Sequence, residues 1–118
     1  MLNLTLAELE IFNETEPEMT INKYGCKEYR LNGKLHRIDG PALDHPNGHK
    51  EWHQNGKLHR VDGPAAEYHD GSKEWYQNGK LHRYGGPAVI RADGSKLYYE
   101  KGVRTDIKRR PKPELTWV

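Results

Sequence analysis

KEWHQNGKLHRVDGPAAEYHDGS, residues 50–72, decides the fold. The stretch before it, KEYRLNGKLHRIDGPALDHPNGH (27–49), and the one after it, KEWYQNGKLHRYGGPAVIRADGS (73–95), repeat its pattern. Lys27, Lys50, Lys73 and Lys96 are spaced by 23 residues, as are Gly33, Gly56, Gly79 and Gly102. The second and third units agree at 16 of 23 positions and the first and second at 13, so the repeat is not chance. A partial fourth unit, KLYYEKGV, starts at Lys96.

Turn chemistry assigns the class. Asn-Gly at 32–33, 55–56 and 78–79 sits between short strand-like runs. Both central residues of a type I′ turn need positive φ, so this dipeptide marks a two-residue hairpin. Further turns fall at Asn47-Gly48, Asp70-Gly71 and Asp93-Gly94, and breaks at Asp39-Gly40-Pro41, Asp62-Gly63-Pro64 and Gly85-Gly86-Pro87. Proline there has no N–H for a ladder and suits a loop or an edge, and Asp39 and Asp62 suit an Asx-type loop. The expected fold is all-β: a single twisted antiparallel meander of about three and a half hairpin repeats over 27–103. Residues 1–26 form an N-terminal cap segment and 104–118 a basic C-terminal arm. Thr5, Leu6, Ala7 and Glu8 fit a helical capping box, though a capping strand fits as well. Pro111 and Pro113 leave the repeat pattern, and Trp117 is a candidate anchor for the arm.

A two-residue turn at Asn55-Gly56 places Gln54 opposite Lys57, His53 opposite Leu58 and Trp52 opposite His59. It also sets Glu51 against Arg60. A two-residue turn at Asp70-Gly71 puts Ala66 beside Trp75. One face then stacks Tyr29, Trp52, Trp75 and Tyr98, flanked by Ile38, Val61 and Tyr84 and by Leu43, Ala66 and Val89. The other face pairs Glu28 with Arg37, Glu51 with Arg60 and Glu74 with Arg83, at roughly 0.2–1 kcal/mol per pair. A bulged turn would slip this register by one residue and exchange the faces.

Composition excludes several classes. Of 118 residues 34% are hydrophobic and 31% charged, which is too polar for a membrane-spanning chain or a thick core. Three Trp and seven Tyr are more aromatic content than a charge-rich disordered chain carries. The net charge of +2 gives no strong basic field for nucleic acid. Cys26, the single cysteine, has no intrachain partner, and a reducing cytoplasm is the expected compartment. Residues 1–10 lack a basic n-region and do not read as a signal peptide.

Two columns invite a chemical role. His36, His59 and His82 recur once per unit, at least two strand spacings apart, roughly 10 Å. One ion cannot join them, so each is expected to pack beside its own hairpin's aromatic and donate one hydrogen bond. Pairs such as His53 with His59, or His45 with His49, could form weak sites at most, and no metal site and no cofactor is expected. Arg37, Arg60 and Arg83, with Lys34, Lys57 and Lys80, form a basic stripe that could track a phosphate backbone, unless the glutamates neutralise it. No nucleophile elbow, phosphate loop or metal spacing is present, so no enzyme is expected. Residues repeated in every unit read as structural. Function then falls to what varies: Arg30, His53, Tyr76 and Tyr99; Asp44, Glu67 and Ile90; His45, Tyr68 and Arg91; and the termini. Tyr76 and Tyr99, on the face opposite the Trp column, are candidate contacts, with Arg109, Arg110 and Trp117 of the arm.

Gly56, His59, Asp70-Gly71 and Trp75 resemble the MORN (membrane occupation and recognition nexus) repeat, except that Arg37, Arg60 and Arg83 stand where that unit has glycine after the histidine. The string W-Y-x-N-G-K-L-H-R-x-D-G-P-A is similar to divergent MORN-like arrays in small proteins of tailed bacteriophages and giant viruses. The resemblance covers about residues 27–103. It implies an elongated sheet without catalysis that serves as a protein-binding scaffold; lipid binding has been proposed for such arrays. A phage origin implies a host protein as partner, with a defence component among the candidates, bound in the host cytoplasm without membrane insertion. A homodimer through an exposed sheet face, a nucleic-acid or nucleotide binder using the Arg/Lys stripe and Tyr faces, and a structural virion component are the alternatives.

Overall fold

A computed structural model describes residues 16–106. Every regular element among them is a strand, and every pairing is antiparallel. The all-β meander expected from the turns is the fold.

Within each unit the chain makes two short ladders side by side. The longer ladder runs in the order Glu18–Ile21, Lys27–Leu31, Leu43–Asp44, Lys50–Glu51, Ala66–Glu67, Lys73–Glu74, Val89–Ile90, Lys96–Leu97. The described end of the N-terminal segment thus supplies one edge strand, with Glu18 opposite Arg30 and Ile21 opposite Lys27. The capping box at Thr5–Glu8 lies outside the described residues. The second row consists of hairpins. Lys34–Leu35 returns on Lys27–Leu31, His53–Gln54 pairs with Lys57–Leu58, Tyr76–Gln77 with Lys80–Leu81, and Tyr99–Glu100 with Val103–Arg104.

The hairpin turns are those the dipeptides demand. Asn55 and Gly56 have φ of 54° and 80°, and Asn32-Gly33 and Asn78-Gly79 match them. Lys101-Gly102 turns identically at 51° and 81°, so the partial fourth unit completes its hairpin. Gly56→Val should destabilise the protein by at least about 1 kcal/mol, because a β-branched residue is strained at that φ. Equilibrium denaturation checks it, and unchanged stability would contradict this turn.

The other turn corrects the expected register. Asp70-Gly71 belongs to a three-residue loop, 69–71: the Tyr68 N–H donates to the Ser72 carbonyl and the Gly71 N–H to the Tyr68 carbonyl. The Asp70 carboxylate accepts from the Ser72 N–H at 2.8 Å, and Gly71 sits at φ 92°. This is the turn-plus-bulge solution for a three-residue hairpin. It places Ala66 opposite Glu74, not beside Trp75. Leu43, Ala66 and Val89 therefore share a face with the glutamates, not with the aromatic column. The Asn-Gly hairpin register stands: His53 faces Leu58 and Gln54 faces Lys57.

Successive units are bonded through both rows. The Ala42, Ala65 and Ala88 N–H groups donate to Glu51, Glu74 and Leu97 of the following unit, while their carbonyls accept from Tyr29, Trp52 and Trp75 of their own. In the hairpin row the Arg37, Arg60 and Arg83 N–H groups reach His53, Tyr76 and Tyr99 of the next unit. The buried apolar residues are small: Cys26, Ala42, Ala65, Ala66, Ala88 and Val89. No large side chain among the described residues is fully buried. Hydrogen bonding and stacking thus carry more of this fold than a thick apolar core does.

Candidate functional site

The arginine column organises the surface. The Arg37, Arg60 and Arg83 guanidinium carbons lie 4.0, 3.9 and 4.0 Å from the ring centroids of Tyr29, Trp52 and Trp75. One N–H of each donates to the carbonyl of Pro41, Pro64 or Pro87, at 3.0–3.2 Å. Arg37 and Arg60 also hold Asp39 and Asp62 at 3.1 and 3.2 Å. The glycine before each proline closes the other side. A Cβ on Gly63 would stand 2.8 Å from the Arg60 guanidinium carbon, and Gly40 and Gly86 are equally close to theirs. This explains why arginine stands after the histidine and why glycine precedes proline: the loop wraps a flat cation lying on an aromatic ring.

The expected pairs Glu28–Arg37, Glu51–Arg60 and Glu74–Arg83 do not form, because the arginines leave that face. Glu28 takes Arg30 at 3.1 Å. Glu51 accepts from His49 and His53 Nε2 at 2.7 and 2.8 Å, and these bonds, His53 first, hold its carboxyl below the usual range. Glu74 accepts from the Tyr68 and Tyr76 hydroxyls at 2.8 and 2.9 Å. Burial, then the bond to Glu74, pushes the Tyr76 phenol up to about 12 and raises Tyr68 as well. Tyr76, expected as a partner contact, is half-buried with its hydroxyl committed inside the chain. Tyr99 is also half-buried, with Leu97 where the earlier units have glutamate.

The histidines differ from expectation too. Each accepts a hydrogen bond from the next unit. The N–H of Asn55 donates to His36 Nδ1 at 2.9 Å, that of Asn78 to His59 Nδ1 at 3.0 Å, and that of Lys101 to His82 Nδ1 at 2.9 Å. They act as staples between repeats in the tautomer that carries its proton on Nε2. Among the described residues no group of three or more His, Cys, Asp or Glu could hold a metal ion.

Anchoring the arginine leaves the next residue at the tip of the loop. Ile38, Val61 and Tyr84 are 69%, 76% and 65% exposed and do not flank the aromatic column as expected, because the chain leaves its own hairpin after the histidine and the arginine N–H bonds to the next unit. Asp39 and Asp62 stand beside the first two, 86% and 87% exposed at the side chain. Between consecutive tips lie two equivalent clefts of about 630 and 650 Å³. The first is lined by Ile38, Trp52, Gln54 and Val61, the second by Val61, Trp75, Gln77 and Tyr84. The site is a row of three apolar tips at one-repeat spacing, roughly 10 Å, with acidic groups on its rim. The sequence carried one signal for it: the position after each repeated arginine varies as Ile, Val and Tyr, while the Gly-Pro that follows recurs in every unit. Arg37, Arg60 and Arg83 form the walls of these clefts, and one guanidinium N–H of each is held by a loop carbonyl. Arg109, Arg110 and Trp117 lie outside the described residues.

No helix among the described residues is long and apolar enough to cross a membrane. No protein-family model matches the chain, and neither a curated protein nor a solved structure does.

Proposed function

We propose that this chain is a non-catalytic recognition module whose partner is a protein docked along the Ile38, Val61 and Tyr84 tips. The observation that carries the reading is the exposure of all three apolar side chains in one row, with a cleft between each pair. Contiguous apolar side chains on a polar rim mark interaction surfaces. The partner would bring apolar side chains to the clefts and basic groups to Asp39 and Asp62. The likeness of the repeat to phage arrays supports a host protein as that partner. The internal use of the arginines weighs against a phosphate-tracking stripe, since each guanidinium already has an aromatic face and a carbonyl.

The test compares tagged wild-type protein with a Val61→Ser, Tyr84→Ser variant in extracts of the native host. A partner retained by the wild type and lost by the variant, at unchanged thermal stability, is the expected result. Equal retention by both would remove the loop row as the site, and salt-sensitive capture of nucleic acid in place of protein would overturn the reading.

A further inference from the structure

The two clefts between the loop tips are copies of one another. Ile38, Trp52 and Gln54 line the first, and the residues one period further on, Val61, Trp75 and Gln77, line the second. Each unit adds two strands to the long ladder, so the copies stand two strand spacings apart, roughly 10 Å. An occupant of both clefts needs a like group at each step of that length. It also needs nothing bulky midway, because the exposed Val61 side chain lines both clefts and stands between them. Backbone geometry selects among the regular conformations. A β-strand presents one face every two residues, about 6.7 Å. An α-helix covers about 10.5 Å in seven residues, but it sets another side chain on the same face near the half-step, where Val61 stands. Polyproline II repeats a side chain after three residues, about 9.3 Å, and turns the two between them aside.

The polar groups agree with that choice. The Trp52 and Trp75 indole N–H groups and the Gln54 and Gln77 carboxamides make no hydrogen bond to another described residue, and none of them is buried. Arg83 has a single acceptor among the described residues, the Pro87 carbonyl. The clefts thus have donors to spare. A proline-rich segment in polyproline II has few N–H groups and bare carbonyls, so it brings acceptors to them. Charge sets the flank. The first cleft has Asp39 and Asp62 for Arg37 and Arg60; the second has Asp62 alone for Arg60 and Arg83, because Gly85 replaces the aspartate. A cation on the occupant therefore belongs at the Ile38 end, beside the exposed Asp39 carboxylate.

We propose that the loop row takes a proline-rich segment of its partner in the polyproline II conformation, with apolar side chains three residues apart in the two clefts and a basic residue beside Asp39. Aromatic-lined grooves suit such segments, because the ligand is extended before it binds and loses little entropy. This inference rests on the loop row being the partner site.

The test is fluorescence anisotropy of a labelled peptide, one arginine followed by three Pro-Pro-Leu triplets, titrated with the full chain. A control of the same composition sets its leucines two residues apart. The in-phase peptide should bind at least about tenfold tighter than the control. Val61→Ser should weaken it at least about fivefold at unchanged thermal stability. Asp39→Asn should weaken it as well, and leave a peptide without the arginine unaffected. In the spectrum of the isotope-labelled chain, the Trp52 and Trp75 indole N–H signals should shift on binding. Equal affinity for the two peptides would overturn the proposal, and so would undiminished binding to the Val61→Ser variant. Preference for a helical peptide with leucines seven residues apart would overturn it too. If the proline-rich peptide fails while the Val61→Ser, Tyr84→Ser variant still loses its host protein, the loop row stands and only this occupant is wrong. If both fail, the row itself is removed as the site.

Discussion

Arg60→Ala should lower the stability of this protein by about 3 kcal/mol, on the order of 10 °C in melting temperature. The guanidinium lies 3.9 Å from the Trp52 centroid, worth roughly 0.5–2 kcal/mol for a desolvated cation on an aromatic face. It donates to the Pro64 carbonyl at 3.0 Å, and that part-buried acceptor loses its partner in the variant. The bond to Asp62 adds little, since that carboxylate is 87% exposed. Arg60→Lys should recover only a small part, because an ammonium has neither the flat face for the ring nor the fork for two acceptors. The stronger test couples the arginine to its glycine. Gly63→Ala places a Cβ 2.8 Å from the guanidinium carbon and should cost about 1–3 kcal/mol. In the Arg60→Ala background that atom is gone, and the same change should cost almost nothing. Denaturant unfolding of the four proteins gives the coupling, expected at about 1–3 kcal/mol. Equal costs of Gly63→Ala in both backgrounds would mean that the loop does not wrap the arginine.

His82→Leu should cost about 2–4 kcal/mol, most of it from the staple to the fourth unit. His82 is 6% exposed, and its Nδ1 accepts the Lys101 N–H at 2.9 Å. Its ring also meets Tyr84 edge-on at 4.5 Å. Leucine fills much of the space but offers no acceptor, so the turn N–H is left unpaired. His82→Asn separates the two contributions. The asparagine oxygen is as many bonds from the backbone as Nδ1, so it can take the same N–H while giving up the ring contact. The Lys101 amide should therefore exchange with solvent much faster in the leucine variant and near the wild-type rate in the asparagine variant. Equal exchange in both would show that the histidine acts by packing alone. Each unit is stabilised by its neighbours, so loss of this staple should loosen the fourth hairpin before the rest of the sheet.

The sequence by itself determined the repeat, the strand-only fold, the Asn-Gly hairpins and their register. These follow from local chemistry: positive φ at both turn residues suits Asn-Gly, and Lys101-Gly102 adopts the same geometry although only its glycine matches. Tertiary structure decided the rest. The Asp70-Gly71 loop takes three residues where two were counted, because the carboxylate reaches the Ser72 N–H and the glycine completes a bulge. That single residue exchanged the faces of the strands beyond it. Pairing rules within a hairpin set Arg60 against Glu51, but the chain turns away after His59 and the guanidinium finds a ring and a carbonyl that only the folded loop brings together. The same folding drew Tyr76 inward onto Glu74 and pushed Ile38, Val61 and Tyr84 out to the loop tips. Their placement depends on contacts between residues far apart in register, which spacing along one chain does not encode.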